Sequence, residues 1–582
     1  VIQRLANAHD FIVWLPKYAG RRTRMNCPPA SGNSRHLAWA FLADAPVLIR
    51  AEATSSLDSH SPEADLHFDG TSVFAVRTLD RISVFDHGRG SARGGREIWP
   101  ERETAAQYPR VARRNETMGV TATLSAFTAG IRLDALPPEV VTRARFLVLD
   151  LVGNIVRARH DAESTASFLA ATRSMGMASG NSGVFGDAAR YTPAGAAFLN
   201  GALAHSLDFD DTHAAGSLHP GAPVIPAALA AGEMVGASGA DVLAAIIAGY
   251  EMTCRVALAL PAGEHYDRGY HPTATCGAFG AAAAAARVFG LNADGVGSAL
   301  GTVLSQAAGS LQFLANGAWT KRFQVGWAAL NGLMAATLVG EGFKGASEAL
   351  EGRHGFMRAY APKPSPERTV QDLGAVWELM NTAVKPYPSC RYGHAGIDAA
   401  LALRAANDLK PSEITSVRLG LPRSGMLLIG APAYKKANPE NVVDGQFSGP
   451  FVISAALTTG AMNWDSYELL NDPTVRALLP KVECAFDPEI EAEFPTNMSG
   501  KLTIEARGQR FEQKVVVPKG EPGNFLTEAE LRAKFSGLTG TVLGTDRAAA
   551  LASAVLAIDV TSSVSSLVRL AAPLMSARLA GE

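Results

Sequence analysis

The chain has 582 residues, too many for one ordinary hydrophobic core, so two or three domains are expected. Apolar residues make up 47% and charged residues 19%, the balance of a globular protein, and a formal net charge of -2 gives no electrostatic footprint for nucleic acid. Cys27, Cys254, Cys276, Cys390 and Cys484 are scattered without a CxxC pair. That argues against a zinc site, a disulfide framework or a conventional iron–sulfur motif, and reduced thiols in a cytoplasmic protein are the simplest reading.

Residues 1–117 mix Arg, His, Ser, Gly and Pro without steady periodicity and are expected to be a disordered extension outside the main fold, with a small accessory domain as the alternative. From Met118 the texture becomes helical. Thr121–Ile131 is a short helix candidate, and Pro138 opens a long one over Glu139–Arg157. Further helices are predicted at Pro193–Leu207, Pro223–Val235, Gly239–Leu260, Thr275–Phe289, Ala293–Phe313, Val325–Gly340 and Ala346–Ala359, rich in the small residues that let helices approach closely. No apolar run is read as a membrane span: the best candidate, Gly239–Leu260, is broken by Asp241, Glu251 and Arg255. The N-terminus lacks the order of a signal peptide. Near Lys385 the pattern shifts to strands at Ile414–Leu421, Lys501–Ala506 and Arg510–Pro518, the last two turning at Gly508, with helices at His394–Asn407 and Val442–Thr459. The tail Thr527–Leu579 is again helical. The expected fold is therefore mainly α: an all-helical domain over 118–384, a smaller α+β domain over 385–523, and C-terminal helices over 524–582 that pack back on the first domain.

Four segments carry chemistry. Leu207–Pro220 packs Asp208, Asp210, Asp211, Thr212, His213 and His219 onto the end of an apolar helix, where a core helix rarely gathers so many ionisable groups. A solvated cap is the bland alternative. Gly269–Ala278 holds His271 in a turn before Pro272, beside a helix N-terminus with free N–H groups for an anion. Asn316–Trp327 sets Lys321 and Arg322 among Trp319, Phe323 and Trp327, a partly buried setting in which cations need an anionic partner. Val384–His394 carries Lys385, Arg391 and His394 at the expected domain junction, where small-molecule pockets form. The ordinary alternatives for these three are a capping histidine, a solvated charge pair and a rigid linker. Together they are the equipment for a di- or tricarboxylate: cations clamp the carboxylates and a histidine moves a proton at the neighbouring carbon. No dinucleotide GxGxxG, P-loop or HExxH motif is found. Asp208-Phe-Asp-Asp-Thr212 matches the DxDxT pattern of haloacid-dehalogenase-type phosphotransferases, but the preceding Ala194–Ser206 is Ala-rich and helical where that site needs a strand. A three-carboxylate divalent-metal site is a similar outsider.

With SLDFDDTH and its following HP, YHPTATCGAFGAAAA, WTKR…GW, KPYPSCRYGHAGIDAA, QFSGP and VPKGEPGN in this order, the chain from Met118 onward resembles the MmgE/PrpD family, which includes 2-methylcitrate dehydratase, cis-aconitate decarboxylase and iminodisuccinate epimerase. The resemblance implies a helical domain with an α+β lid, a site in the cleft between them, a homodimer, and no metal or organic cofactor. An upstream mis-start of the reading frame would account for residues 1–117. Carried over by motif, Asp208 and Thr212 line the pocket, His219 and His271 stand nearest the chemistry, and Lys321 and Lys385 are the two site lysines. Two positions depart: Phe451 stands where many relatives have tyrosine, and Gln324 where many have histidine. The cis-aconitate decarboxylases use that tyrosine, so Phe451 weighs against decarboxylation.

The leading expectation is a cofactor-independent lyase that dehydrates a 2-methylcitrate-like hydroxy tricarboxylate. His271 takes the proton, His219 assists hydroxide loss, and Asp208 orients a histidine or lysine. Lys321, Lys385 and Arg322 hold carboxylates, with Thr212, Gln324, Arg391, His394 and Phe451 completing the binding set. The competitors are an epimerase of an amino- or imino-dicarboxylate, a decarboxylase of the cis-aconitate type, and a non-catalytic small-acid binder. No membrane or nucleic-acid partner is expected.

Overall fold

The computed structural model describes residues 118–573, preceded by eight short strands between Ile2 and Val84. By contacts the chain divides into two compact units, Val1–Arg102 and Glu103–Glu582. In the first unit the strands pair into a five-stranded and a three-stranded sheet. The rest of residues 1–117, and with it most of the expected extension, lies outside the described residues.

The second unit begins with helices whose ends the sequence writes plainly. Helix α1 (Pro138–Asp161) has Pro at its first turn, Glu139 near its N-terminus and Arg159 and His160 at its C-terminus, the polarity the helix dipole favours. Its middle is buried on nearly every side. Helix α2 (Pro193–Ala204) starts at Thr192, whose hydroxyl accepts from the Gly195 N–H. Helix α3 (Gly221–Val235) ends on the left-handed Gly236, and α4 (Gly239–Leu258) starts on a Ser238 cap. Helix α5 (Gly277–Val288) and helix α6 (Thr320–Gly340) complete the layer. A Cβ on Gly326 of α6 would come within 2.4 Å of the Phe198 carbonyl on α2, and one on Gly332 within 2.4 Å of the Ala281 side chain on α5. Glycine at these two crossings lets α6 lie directly on its neighbours, which brings the α6 N-terminus beside the C-terminus of α2.

The expectation that no run could span a bilayer needs correction for α6. By length and composition α6 could cross a membrane, with a mean hydropathy of 1.2, yet more than half of that stretch is buried inside the protein, as in a core helix. Other boundaries also differ. The predicted Thr275–Phe289 helix is a short turn at Pro272–Thr275 followed by α5. The Ala293–Phe313 helix stops at Val303, and only Phe356–Tyr360 of Ala346–Ala359 is helical, after Gly352 and Gly355 have turned the chain.

The mixed layer is a four-stranded sheet. Strands β1 (Ile414–Leu421), β2 (Val482–Phe486), β3 (Gly500–Ala506) and β4 (Gln509–Val515) run in the order β2-β1-β3-β4. Strand β1 is parallel to β2, with Val417 opposite Val482, and antiparallel to β3. The β3–β4 hairpin turns on Arg507 and Gly508, both at positive φ, the combination that suits a two-residue loop. Strand β2 was not predicted; five residues with Glu483 in second place give too short an alternation to read. Helices α7 (His394–Asn407) and α8 (Gly449–Thr459) pack with the sheet in one core. The predicted Val442–Thr459 helix breaks at Ser448, whose hydroxyl caps α8 by accepting from the Phe451 N–H. The chain then returns through α9 (Glu528–Leu543), which packs along α1, and α10 (Thr545–Leu556).

Candidate active site

Helix α2 ends at Ala204, and His205 to Leu218 cross from it towards α3. Asp208 sits at φ 54, a left-handed conformation costly for a non-glycine residue, so its surroundings must hold it. They do so through four successive carbonyls. Ser206 accepts from Arg322 Nε at 3.1 Å, Leu207 from Gln446 Nε2 at 2.7 Å, and Asp208 from Lys385 Nζ at 2.6 Å. Phe209 accepts from Asn154 Nδ2 at 3.2 Å and Lys534 Nζ at 3.0 Å.

The Asp208 carboxylate lies between two ammonium groups: Lys321 Nζ is 2.5 Å from Oδ1 and Lys385 Nζ is 3.2 Å from Oδ2. Burial alone would favour the neutral acid. Lys321 and Lys385 outweigh it and hold the carboxyl far below the ordinary range. Asp208 is therefore ionised, and an ammonium with three donors keeps capacity for other anions.

Beside this pair stands a cluster of imidazoles. The His205 ring centroid is 4.7 Å from that of His219 and 5.8 Å from that of His271. His205 Nδ1 is 2.7 Å from Asp210 Oδ2, and His219 Nδ1 is 3.3 Å from the same oxygen. Burial resists ionisation of Asp210, but the two histidines override it and keep the carboxyl well below its usual range. Burial pushes His205 down to about 4 despite Asp210, so it is neutral near pH 7 and donates Nδ1–H to Asp210. His271 is lowered well below the ordinary histidine value, first by burial and then by His205, Lys321 and His219.

The tautomer of His271 follows from its neighbour. Gln324 Nε2 donates to the Ser310 carbonyl at 2.8 Å, which only an N–H can do, so the other end of the amide is oxygen. That oxygen lies 3.1 Å from His271 Nδ1, which must then carry the proton. Nε2 of His271 is left with a lone pair on a neutral ring, the form of a base.

The remaining predicted residues divide. Thr212 is buried in a two-residue strand paired with Thr382–Ala383, its hydroxyl without a hydrogen-bond partner among the described residues. Arg322 spends its Nε on the Ser206 carbonyl, and burial lowers its pKa. Arg391 is engaged by Glu521 through both ends of its guanidinium, so its charge is already matched. His394 is buried, pushed down to about 3 by burial and Lys385, and its Nε2 meets the Ser389 carbonyl at 3.2 Å. Phe451 is fully buried and stacked on Tyr467 at 5.7 Å, while the Tyr467 hydroxyl donates to the Pro388 carbonyl. The structure thus draws Asp208, Lys321, Lys385, His219, His271, Arg322 and Gln324 around one loop and leaves Arg391, His394 and Phe451 bracing its border.

Sequence reasoning missed His205, which stands just before the segment it singled out, and gave Asp210 and Asp211 no separate roles. Asp211 accepts from the Tyr250 hydroxyl at 2.6 Å and the Gly221 N–H at 3.1 Å, and burial pushes it up to about 7. His205, Asp210 and His219 form the one group among the described residues whose ligand atoms are close enough to surround a metal ion. Their 2.7 Å N–O contact is a hydrogen bond, tighter than the roughly 3.3 Å between two ligands about 2.0 Å from a tetrahedral ion.

Comparison with known proteins gives the family. The MmgE/PrpD N-terminal domain model matches residues 122–369 and the MmgE/PrpD C-terminal domain model matches residues 387–559. The chain belongs to the MmgE/PrpD family. The resemblance read from the motifs is thereby established, and residues 1–117 lie outside both matches. Relatives include the cis-aconitate decarboxylase-like protein oryM of Aspergillus oryzae, 28% identical over 78% of this chain and 97% of its own length. The cis-aconitate decarboxylase of Aspergillus terreus is 27% identical, over 78% and 96%. That of Mus musculus is 28% identical, over 78% and 93%.

Proposed function

We propose that this MmgE/PrpD protein is a lyase that removes a proton from the carbon beside a carboxylate of a di- or tricarboxylate. The observation that carries the reading is the ionised Asp208 held between Lys321 and Lys385, with the neutral His271 ring close by. The two ammonium groups bind substrate carboxylates and stabilise the negative charge that develops when the α-proton leaves. His271 Nε2 accepts that proton, its geometry set by Gln324. His219 is the most open imidazole of the cluster, with Nδ1 3.3 Å from Asp210 Oδ2, and in this reading it serves as the acid. Its proton goes to the departing hydroxide, which leaves as water, and the carbanion electron pair forms the alkene.

Dehydration of a hydroxy tricarboxylate of the 2-methylcitrate kind is the reading the residues favour, since Phe451 brings no hydroxyl to the site. Decarboxylation of cis-aconitate is the second reading, supported by the names of the relatives. The same α-proton step without elimination would make an epimerase. We also propose a cytoplasmic homodimer. The exposed stripe Phe323, Trp327, Met334 and Leu338 along α6 supports pairing, and the buried free thiols Cys254, Cys276 and Cys390 suit a reducing compartment.

The test is incubation in heavy water with a panel including 2-methylcitrate, citrate, cis-aconitate and aspartate-like dicarboxylates, followed by proton NMR. A new vinyl signal with retained carbon count establishes the dehydratase. Vinyl signals with carbon dioxide release establish the decarboxylase, and deuterium uptake alone the epimerase. Binding without any of these makes the chain a small-acid binder and ends the lyase reading.

A further inference from the structure

Three segments far apart in sequence meet at one ammonium group behind the site. Lys534 lies on α9, and its side chain is almost fully enclosed. Its Nζ is 2.5 Å from Asp150 Oδ1 on α1, 3.0 Å from the Phe209 carbonyl and 2.8 Å from the Lys385 carbonyl. It also stands 3.7 Å from the centre of the Phe209 ring. Two of its three N–H donors are hydrogen-bonded to the carbonyls, and the Asp150 carboxylate beside them is an ion-pair contact. Both carbonyls belong to the backbone that carries the site: Phe209 directly follows Asp208, and Lys385 supplies the second site ammonium.

We propose that Lys534 is a positioning residue that ties the Asp208 loop to the Lys385 segment and so sets the distance between the site carboxylate and its second lysine. Proximity of this kind is sensitive to small displacements, because a shift of about 1 Å at a reacting group costs large factors in rate. Asp208 needs such a tie, since its left-handed backbone persists only where the surroundings over-determine it. Asp150 has the different task of neutralising the buried charge. The bond that matters for the site is therefore the one to the carbonyls, and the one that matters for burying the ammonium is the one to Asp150. The two can be separated by mutation.

The catalytic consequence rests on the lyase reading above; the positioning itself does not, and the experiment keeps them apart. In the full chain, Asp150→Asn keeps the Lys534 side chain, whose amino group retains N–H donors for both carbonyls whether charged or neutral. Adding Lys534→Met gives a double variant of similar volume with neither charge, which avoids stranding a buried carboxylate. Hydrogen exchange by mass spectrometry is compared between these two. The proposal expects exchange at least ten-fold faster in peptides covering residues 205–213 and 383–390 of the double variant, with α1 and α9 themselves unchanged. Uniform acceleration through α1 and α9, or no change in the two segments, overturns it. Where the panel above has supplied a substrate, kcat of the double variant should fall at least ten-fold below that of Asp150→Asn. An unchanged kcat alongside faster exchange overturns the stated distance-setting role. Localised exchange in a protein that turns over none of the panel leaves the positioning intact and removes the lyase reading.

Discussion

Two sets of lysine–carboxylate contacts in this chain, around Asp208 and along the β3–β4 hairpin, cannot be told apart by their lengths. Lys321 approaches Asp208 to 2.5 Å, and Lys514 approaches Glu493 to the same distance. Around Asp208 the Lys385 and carboxylate side chains are 4% and 11% exposed; on the hairpin Lys514 and its second partner Glu489 are 26% and 52% exposed. Water competes freely for Lys514 and Glu489, whereas Lys385 and Asp208 are largely shut off from it; Lys321, at 23% exposed, is about as open as Lys514. Lys385 also has a fixed second partner, since it donates to the Asp208 carbonyl. Contact length therefore says little about what an ion pair is for. Desolvation and the sharing of backbone groups separate a site from a surface.

The largest expected effect comes from removing the shared anion. Asp208→Ala leaves Lys321 and Lys385 facing each other with no charge between them, while residue 208 still carries a Cβ at positive φ. Breaking a buried pair costs roughly 3 kcal/mol at the lower end of the usual range. Turnover of the substrate found by NMR should fall by about a thousand-fold, the scale of losing preorganised electrostatics. Denaturant unfolding and steady-state rates check the two parts. Turnover within three-fold of wild type would mean that the buried setting is structural and that the comparison drawn above does not mark a site.

A finer test changes charge beside the cluster without removing any member of it. Gln324→Glu places a carboxylate against His271 Nδ1–H, where the amide oxygen now sits. A carboxylate favours the imidazolium, so the His271 pKa rises from its lowered value and the ring stays protonated to a higher pH. A base is lost when protonated, so the acidic limb of kcat/KM should move to higher pH, with activity lost on the low-pH side and little change above it. Gln324→Met adds no charge and removes a hydrogen bond that favours the imidazolium, so it should lower the rate and move that limb, where it moves, to lower pH. A profile that does not move in Gln324→Glu would remove His271 as the base.

Much of this was legible before the fold was known, and the pattern of what was not is physical. Helix ends written by Pro138, Thr192, Ser238 and Gly236 were close to their observed positions, because caps and prolines act locally. Strand β1 was read in full, since its alternation is long enough to see. Strand β2 was not, because a five-residue parallel partner owes its state to β1 and not to its own sequence. The Asp208, His271, Lys321 and Lys385 segments were visible as clusters of ionisable groups in apolar context. That Arg391 is matched by Glu521, or that Lys534 reaches Lys385, depends on contacts across 130 and 149 residues that no local pattern encodes. Family motifs located the loops; only packing says which side chain in each loop is committed elsewhere.

The smallest expected effect tests the other half of the comparison. Lys514 bridges Glu489 and Glu493 from the outer strand β4, and both carboxylates sit where solvent can replace it. Lys501 on β3 also reaches Glu489, so the carboxylate keeps a cation when Lys514 is gone. Lys514→Met should leave the thermal midpoint unchanged within error, and what difference it makes at low salt should vanish as ionic strength rises, because exposed pairs are screened. Turnover should be that of the wild type. A loss of stability that persists at high salt would show that the hairpin network is held as firmly as the one at Asp208, and burial would then no longer separate the two.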